Sequence, residues 1–266
     1  MFRELINLLS VGEIFILSTI LLISLSLVVS YIGSIFIKSE SVSPEYTRDT
    51  DSILGVMGSG YGIFLGFVII TLWGHYMEVQ KDVYEEAGAI SSIVHNIKVF
   101  PQADAFFLRK NIAAYLQAIR DDEWQKMKQG KESNKAWDAF QKLYITFQQY
   151  TAKTAKETFF YGQIMNNMDT ALKKRRDRLL AVKSIINNEI RIALILGAIV
   201  IIVLASFLKT KGPARIFANI CLTIVIGFNL TLALCFDYPF SGSISISNYP
   251  FYEGVLANLK PLKEVE

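Results

Sequence analysis

Four apolar runs are long enough to cross a hydrocarbon core of roughly 30 Å, which takes about 20 helical residues. They are Ile14 to Ile37, Ile53 to Trp73, Ile190 to Leu208 and Ile216 to Phe236. The first two lie close together, as do the last two. Between the pairs runs a long polar stretch whose apolar residues recur at helical spacing. The pattern predicts an all-α integral membrane protein, with four transmembrane helices and a helical domain inserted between the second and third. Its boundaries are a membrane hairpin over 1–75, the helical domain over 76–189, a second hairpin over 190–236, and a turn with an amphipathic tail helix over 237–266.

The second run is the most informative. Gly58, Gly62 and Gly66 recur every fourth residue with Gly55 and Ser59 beside them, so one helix face is nearly bare and a neighbouring backbone can approach it. That neighbour is either another span of the same chain or a second subunit. Bulk falls on the opposite side, at Ile63, Phe67 and Ile70. No breaker separates this run from the acids Glu78, Asp82, Glu85 and Glu86, which continue the same helix into water. Such a row is either a solvated face or, if subunits surround an axis, a stack of acidic rings at a pore mouth.

The first thirteen residues read as a short interfacial helix. The run after them exceeds the 7–15 residues typical of a signal-peptide core and lacks a cleavage pattern, so it reads as a retained anchor. Its serines, Ser18, Ser24, Ser26, Ser30 and Ser34, can bond back to their own helix or across to a neighbour. In the polar stretch Pro101 ends one helix, and Leu108, Ile112, Tyr115 and Ile119 predict another from Ala103 to Arg120. Trp137, Phe140, Tyr144 and Phe147 form an aromatic stripe expected in a helix core. A last long helix should carry Phe160, Ile164, Met168, Leu172, Leu179, Val182 and Ile186 inward and enter the membrane at Ile190 without interruption. After the fourth run, Ser243 to Ser247 reads as extended, and a helix begins at Pro250 with Phe251, Val255, Leu256 and Leu259 on one side.

Charge changes the picture in one respect. A net charge of +3, with acids and bases alternating, is no nucleic-acid footprint. Near the span ends, however, nine basic residues (Arg3, Lys81, Lys173, Lys174, Arg175, Arg176, Arg178, Lys183, Arg191) share the side of the helical domain, against five (Lys38, Arg48, Lys209, Lys211, Arg215) on the other. Positive residues favour the cytoplasm, so the helical domain and both termini are expected there. The run Lys173 to Arg178 reads as a membrane-surface cluster. Asn229, inside the fourth run, is a pore-lining or helix-bridging candidate. Asp237, at the membrane exit, is a candidate to pair with Arg175, Arg176 or Arg178 and lock the tail.

Catalytic chemistry finds little support. His75 and His95 are the only histidines, and no zinc-protease, nucleotide-loop or nucleophile-elbow motif is present. Cys221 and Cys235 would stand about 21 Å apart on one helix, at about 1.5 Å per residue, and cannot pair with each other. No enzyme, cofactor or metal is expected.

The EEAGAI after the second run, Tyr115 and Trp124 in the helical stretch, RRDRL at Arg175 to Leu179, and DYPFSG at Asp237 to Gly242 with NYPF beyond it together resemble the bacterial bestrophin-like family. The likeness runs from roughly Ile53 to Leu259. It implies distant similarity to bestrophins, pentameric chloride channels whose second span lines a pore narrowed by apolar side chains. On that pattern the chain is a homo-oligomer among membrane lipids, pentameric by analogy, with Ile63, Phe67 and Ile70 as the constriction and the acids below it. No acidic calcium clasp is present, and the acids argue against simple anion selectivity. The alternative is a non-conducting scaffold or sensor whose helical domain binds a protein partner.

Overall fold

The computed structural model describes residues 2–36, 44–207 and 213–259. Ile37, Lys38, Glu40, Leu208, Lys209, Lys211 and the end of the tail lie outside the described residues. The helices are α1 (Phe2–Leu8), α2 (Val11–Phe36), α3 (Pro44–Asn96), α4 (Gln102–Ala118), α5 (Trp124–Lys128), α6 (Asn134–Gln148), α7 (Ala155–Leu180), α8 (Asn188–Phe207), α9 (Pro213–Phe236) and the single-turn α10 (Gly254–Ala257). No strand occurs among the described residues, including Ser243 to Ser247. Among the described residues four helices are long and apolar enough to cross a membrane: α2, α3, α8 and α9. The chain divides into two compact units, one built from Met1–Gly74, Ser184–Asp237 and Gly242–Ile244, the other from His75–Lys183, Tyr238–Ser241 and Ser245–Glu266.

In the membrane unit α2 packs against α8 and α9. Without water to bond, polar atoms at these faces must find each other. Ser26 Oγ meets Ser206 Oγ at 2.7 Å, Ser18 Oγ meets Thr231 Oγ1 at 2.9 Å, and Ser30 donates to the Ser206 carbonyl. Ser24 instead bonds back to the Leu21 carbonyl. The serines therefore do both things open to them. Ser10 and Glu13 close a reciprocal capping box at the start of α2. Gly242 has φ +76°, and a Cβ there would fall 2.4 Å from Ile6 Cγ2, so both its backbone angle and its neighbour exclude any side chain.

The expectation of one unbroken helix from Phe160 to the membrane is corrected. α7 ends at Leu180 and α8 begins at Asn188. The fully buried Asp237 carboxylate takes up the backbone of this break, accepting from Ile185 N at 2.9 Å, Ile186 N at 2.7 Å and the Ser184 hydroxyl. Arg191 Nη2 donates to its other oxygen at 2.6 Å. The pairing predicted with Arg175, Arg176 or Arg178 is thus replaced by one with Arg191. A carboxylate can satisfy two adjacent N–H groups and one guanidinium at once, and Arg191 sits on the first turn of α8 beside them.

In the helical unit α4 packs on α6, and Ile112, Tyr115, Leu116, Phe147, Ile164 and Met168 are fully buried. The aromatic stripe enters this core except at Trp137, which is 43% exposed. α4 does not stop at Arg120 but passes through one π-helical turn, Ile119–Glu123, into α5. Such a turn inserts an extra residue and shifts the register of the helix beyond it. The predicted tail helix is a 3-10 turn, Tyr249–Tyr252, leading into α10. Its carbonyls are held by Arg120, which donates to Phe251 O, to Leu256 O at 2.9 Å and to Leu259 O at 3.3 Å, while Trp124 Nε1 donates to Ile246 O. A segment held from outside has no need of a long helix to satisfy its own backbone.

Removing one partner from a buried charged pair costs about 3–5 kcal/mol because the other charge is left uncompensated. Asp237→Ala should therefore lower the melting temperature of the purified protein by many degrees, whereas Asp169→Ala, which removes only the exposed bond from Tyr144, leaves it nearly unchanged. Equal melting for both variants would contradict the assignment.

Candidate pore helix

The apolar half of α3 is the least covered of the four spans. Of the most apolar 18-residue window, 6% is buried in α3, against 22% in α2 and 33% in both α8 and α9. What is buried is one narrow line: Leu65 and Leu72 face inward, and Tyr61 donates to the Leu194 carbonyl at 2.9 Å. Ile63, Phe67 and Ile70 are 62%, 67% and 69% exposed and lie opposite that line.

At about 100° per residue, the glycine row sits about a quarter of a turn from Ile63, Phe67 and Ile70 rather than opposite them. A Cβ added at Gly55, Gly58, Gly62 or Gly66 would meet nothing within 4 Å. Ser59 bonds back to Gly55 O. Of the two partners open to this face, a span of the same chain is therefore excluded among the described residues. Close approach within the unit is made instead by Gly197, where a Cβ would fall 2.6 Å from the Tyr61 ring, and by Gly227 against Thr19. Asn229 donates to Val225 O on its own helix, and the interhelical amide is that of Asn219, donating to Ala205 O.

In the helical unit the acidic row does not stay together. Glu78 keeps a side-chain exposure of 72%. Glu85 is shared between Lys81 at 3.6 Å and Lys174 at 2.6 Å, and Asp82 pairs with Lys174 at 2.7 Å. Glu86 is completely buried. Its carboxylate accepts from Arg178 Nε at 2.7 Å and Nη2 at 3.1 Å, and from the Tyr115 hydroxyl at 2.9 Å. Three of the four acids, Asp82, Glu85 and Glu86, are thus paired inside the unit because basic side chains of α7 reach them, and Glu78, with His75 Nδ1 at 3.8 Å, is the open carboxylate of the row.

Arg178 continues to Glu123 on the π-turn at 2.7 Å, and Arg175 binds the other oxygen of Glu123. Arg178 also lies over Trp124 at 5.1 Å and donates to Met127 Sδ. Arg175 and Arg178 are therefore core residues, not a membrane-surface cluster. Burial pushes the Glu123 carboxyl up, but Arg178 and Arg175 outweigh it and hold the group below the usual carboxylate range. Burial, reinforced by Glu86, pushes the Tyr115 hydroxyl well up and keeps it a donor. The two hydrogen-bonding carboxylates, Asp82 before Glu85, raise the Lys174 ammonium above its ordinary value.

A depressed carboxylate contributes stability that is fully present above its unfolded pKa of about 4.3 and is lost as pH falls through the folded value. Acid titration of the wild type, monitored by helix signal or melting, should show this loss below about pH 4.3. Glu123→Gln should be less stable by about 3–5 kcal/mol at neutral pH and lack that component. A variant with the wild-type acid limb would contradict the role given to Glu123.

This fold has relatives among known proteins. The family model of the bestrophin-like domain matches residues 20–251. No curated protein matches by sequence. Among solved structures, a singly substituted bacterial bestrophin homologue from Klebsiella pneumoniae superposes with a TM-score of 0.68 at 12% identity, covering 88% of this chain and 95% of that one. A second substituted form of the Klebsiella homologue gives 0.66 over 88% and 93%, and a variant described as a membrane protein gives 0.69 over the same shares, both at 12% identity. At that identity the likeness shows the fold, and the family match, which spans most of the chain, shows the lineage: this chain belongs to the bestrophin-like family.

Proposed function

We propose that copies of this chain assemble in a bacterial inner membrane around α3, which lines an ion-conducting pore with Ile63, Phe67 and Ile70 as its apolar constriction. The observation that carries this reading is the uncovered surface of α3. Small-residue faces in membranes are where helix backbones pack, and the chain supplies no neighbour for this one among the described residues. A second subunit is the partner that fits. Family membership supports the same reading, since the solved structures of this fold include a bacterial bestrophin homologue.

Copies packed through the glycine face turn the adjacent row of Ile63, Phe67 and Ile70 toward the assembly axis. An apolar ring there gates by excluding water. The helical unit and both termini then belong to the cytoplasmic side. Glu78 forms the open acidic ring beyond the constriction, with Lys81, 73% exposed, next to it.

Planar-bilayer recording of the purified protein under a salt gradient tests the reading. Phe67→Ala widens and wets the ring and should raise conductance severalfold over the wild type. Silence from both proteins with a defined oligomer intact would leave a scaffold or sensor in place of a channel. In the same recordings Glu78→Gln should shift the reversal potential toward the anion side. An unmoved potential would remove Glu78 from the conduction path.

A further inference from the structure

Arg175 is 1% exposed, yet only one of its three guanidinium nitrogens, Nη2, has a carboxylate. Nε and Nη1 are buried without an acceptor. An unsatisfied charged donor in a core is costly, and the residue that carries these two donors borders a cavity of about 360 Å³. Around it stand Arg176, Asn134, Trp137, Leu179 and, at the same wall, Glu132.

The start of α6 faces the same cavity. Ser133 caps the helix by accepting from Ala136 N at 3.0 Å, and its carbonyl takes Trp137 N. That leaves the first N–H groups, of Asn134 and Lys135, with no acceptor inside the helix. A helix start and the residue that carries the unfilled guanidinium donors therefore border one space. Trp137 supplies an aromatic wall: the Arg175 guanidinium covers part of the ring at 4.9 Å, and 43% of the residue stays open. Leu179 and Leu180 extend the apolar side. Glu132 opposes a large negative charge, so the cavity suits a single anionic head and not a polyphosphate.

We propose that this cleft between the start of α6 and the last turns of α7 binds the oxyanion head of a small amphiphile, a carboxylate or a phosphate monoester. The head accepts from Arg175 and Arg176, and the apolar body lies against Trp137 and Leu179. The site is independent of the pore reading.

Isothermal titration of the full chain in phosphatidylcholine nanodiscs with phenyl phosphate, at constant ionic strength, tests it. Arg175→Gln would strip Glu123 of a partner and risks unfolding, so the variants are Arg176→Gln and Trp137→Ala. The wild type should bind saturably in the millimolar range or tighter. Loss of one charge-assisted bond should weaken binding about fivefold to tenfold in Arg176→Gln, and Trp137→Ala should weaken it comparably. Repeating the titration in nanodiscs that contain phosphatidic acid, a lipid phosphate monoester, separates the sources of the oxyanion: abolished binding marks a lipid headgroup in the same site, and unchanged binding marks a soluble ligand. No saturable heat with the wild type, or wild-type affinity in both variants, would overturn the proposal.

Discussion

A guanidinium with no access to water must meet carboxylates, and the helical unit is arranged around that requirement at Arg178. It contacts Glu86 on α3 and Glu123 on the π-turn, and Arg175 stands one helical turn away on the second oxygen of Glu123. Replacing such a cluster by apolar side chains can be neutral or stabilising, but removing a single member is not. The cluster therefore fixes orientation more than it adds stability. With Glu86 turned inward by Arg178, Lys81 and Glu78 are left on the outside of the same helix.

The membrane unit obeys a different constraint. Its polar atoms have no water to fall back on, so Asp237 answers the broken backbone at Ile185 and Ile186, and serines pair across α2, α8 and α9. Every one of these bonds lies away from the glycine face of α3. That face and the neighbouring row of Ile63, Phe67 and Ile70 stay clear of the other described spans, which is what an assembly built around α3 requires.

The spans were legible because nothing but a membrane helix explains such apolar runs, and the helical insert because its apolar residues repeat at helical spacing. The break at 181–187 was hidden: Leu179, Val182 and Ile186 continue the helical spacing across it, and its cause is a carboxylate some fifty residues downstream. Glu123 was hidden for a similar reason. IRDDE mixes base and acid as a solvated face does, and only α7, more than fifty residues on, makes it a core anion. Arg191 was visible only as one positive charge near a span. The glycine row could be seen in the sequence, but which glycines meet a neighbour could not, because Gly197 is made necessary by the Tyr61 ring and the row on α3 meets nothing among the described residues. In the tail, Phe251, Leu256 and Leu259 kept the spacing of a helix while Arg120 took their carbonyls.

Whether Phe67 faces the conduction path is decided by single-channel recording of Phe67→Cys, with Leu65→Cys as the buried control, in a background where Cys221 and Cys235 are replaced by alanine. If Phe67 lines the pore, a charged thiol reagent added to the bath changes the current through Phe67→Cys within the reagent's reaction time and leaves Leu65→Cys untouched. Current through Phe67→Cys that ignores the reagent, from a protein that conducts, would contradict a pore built around α3.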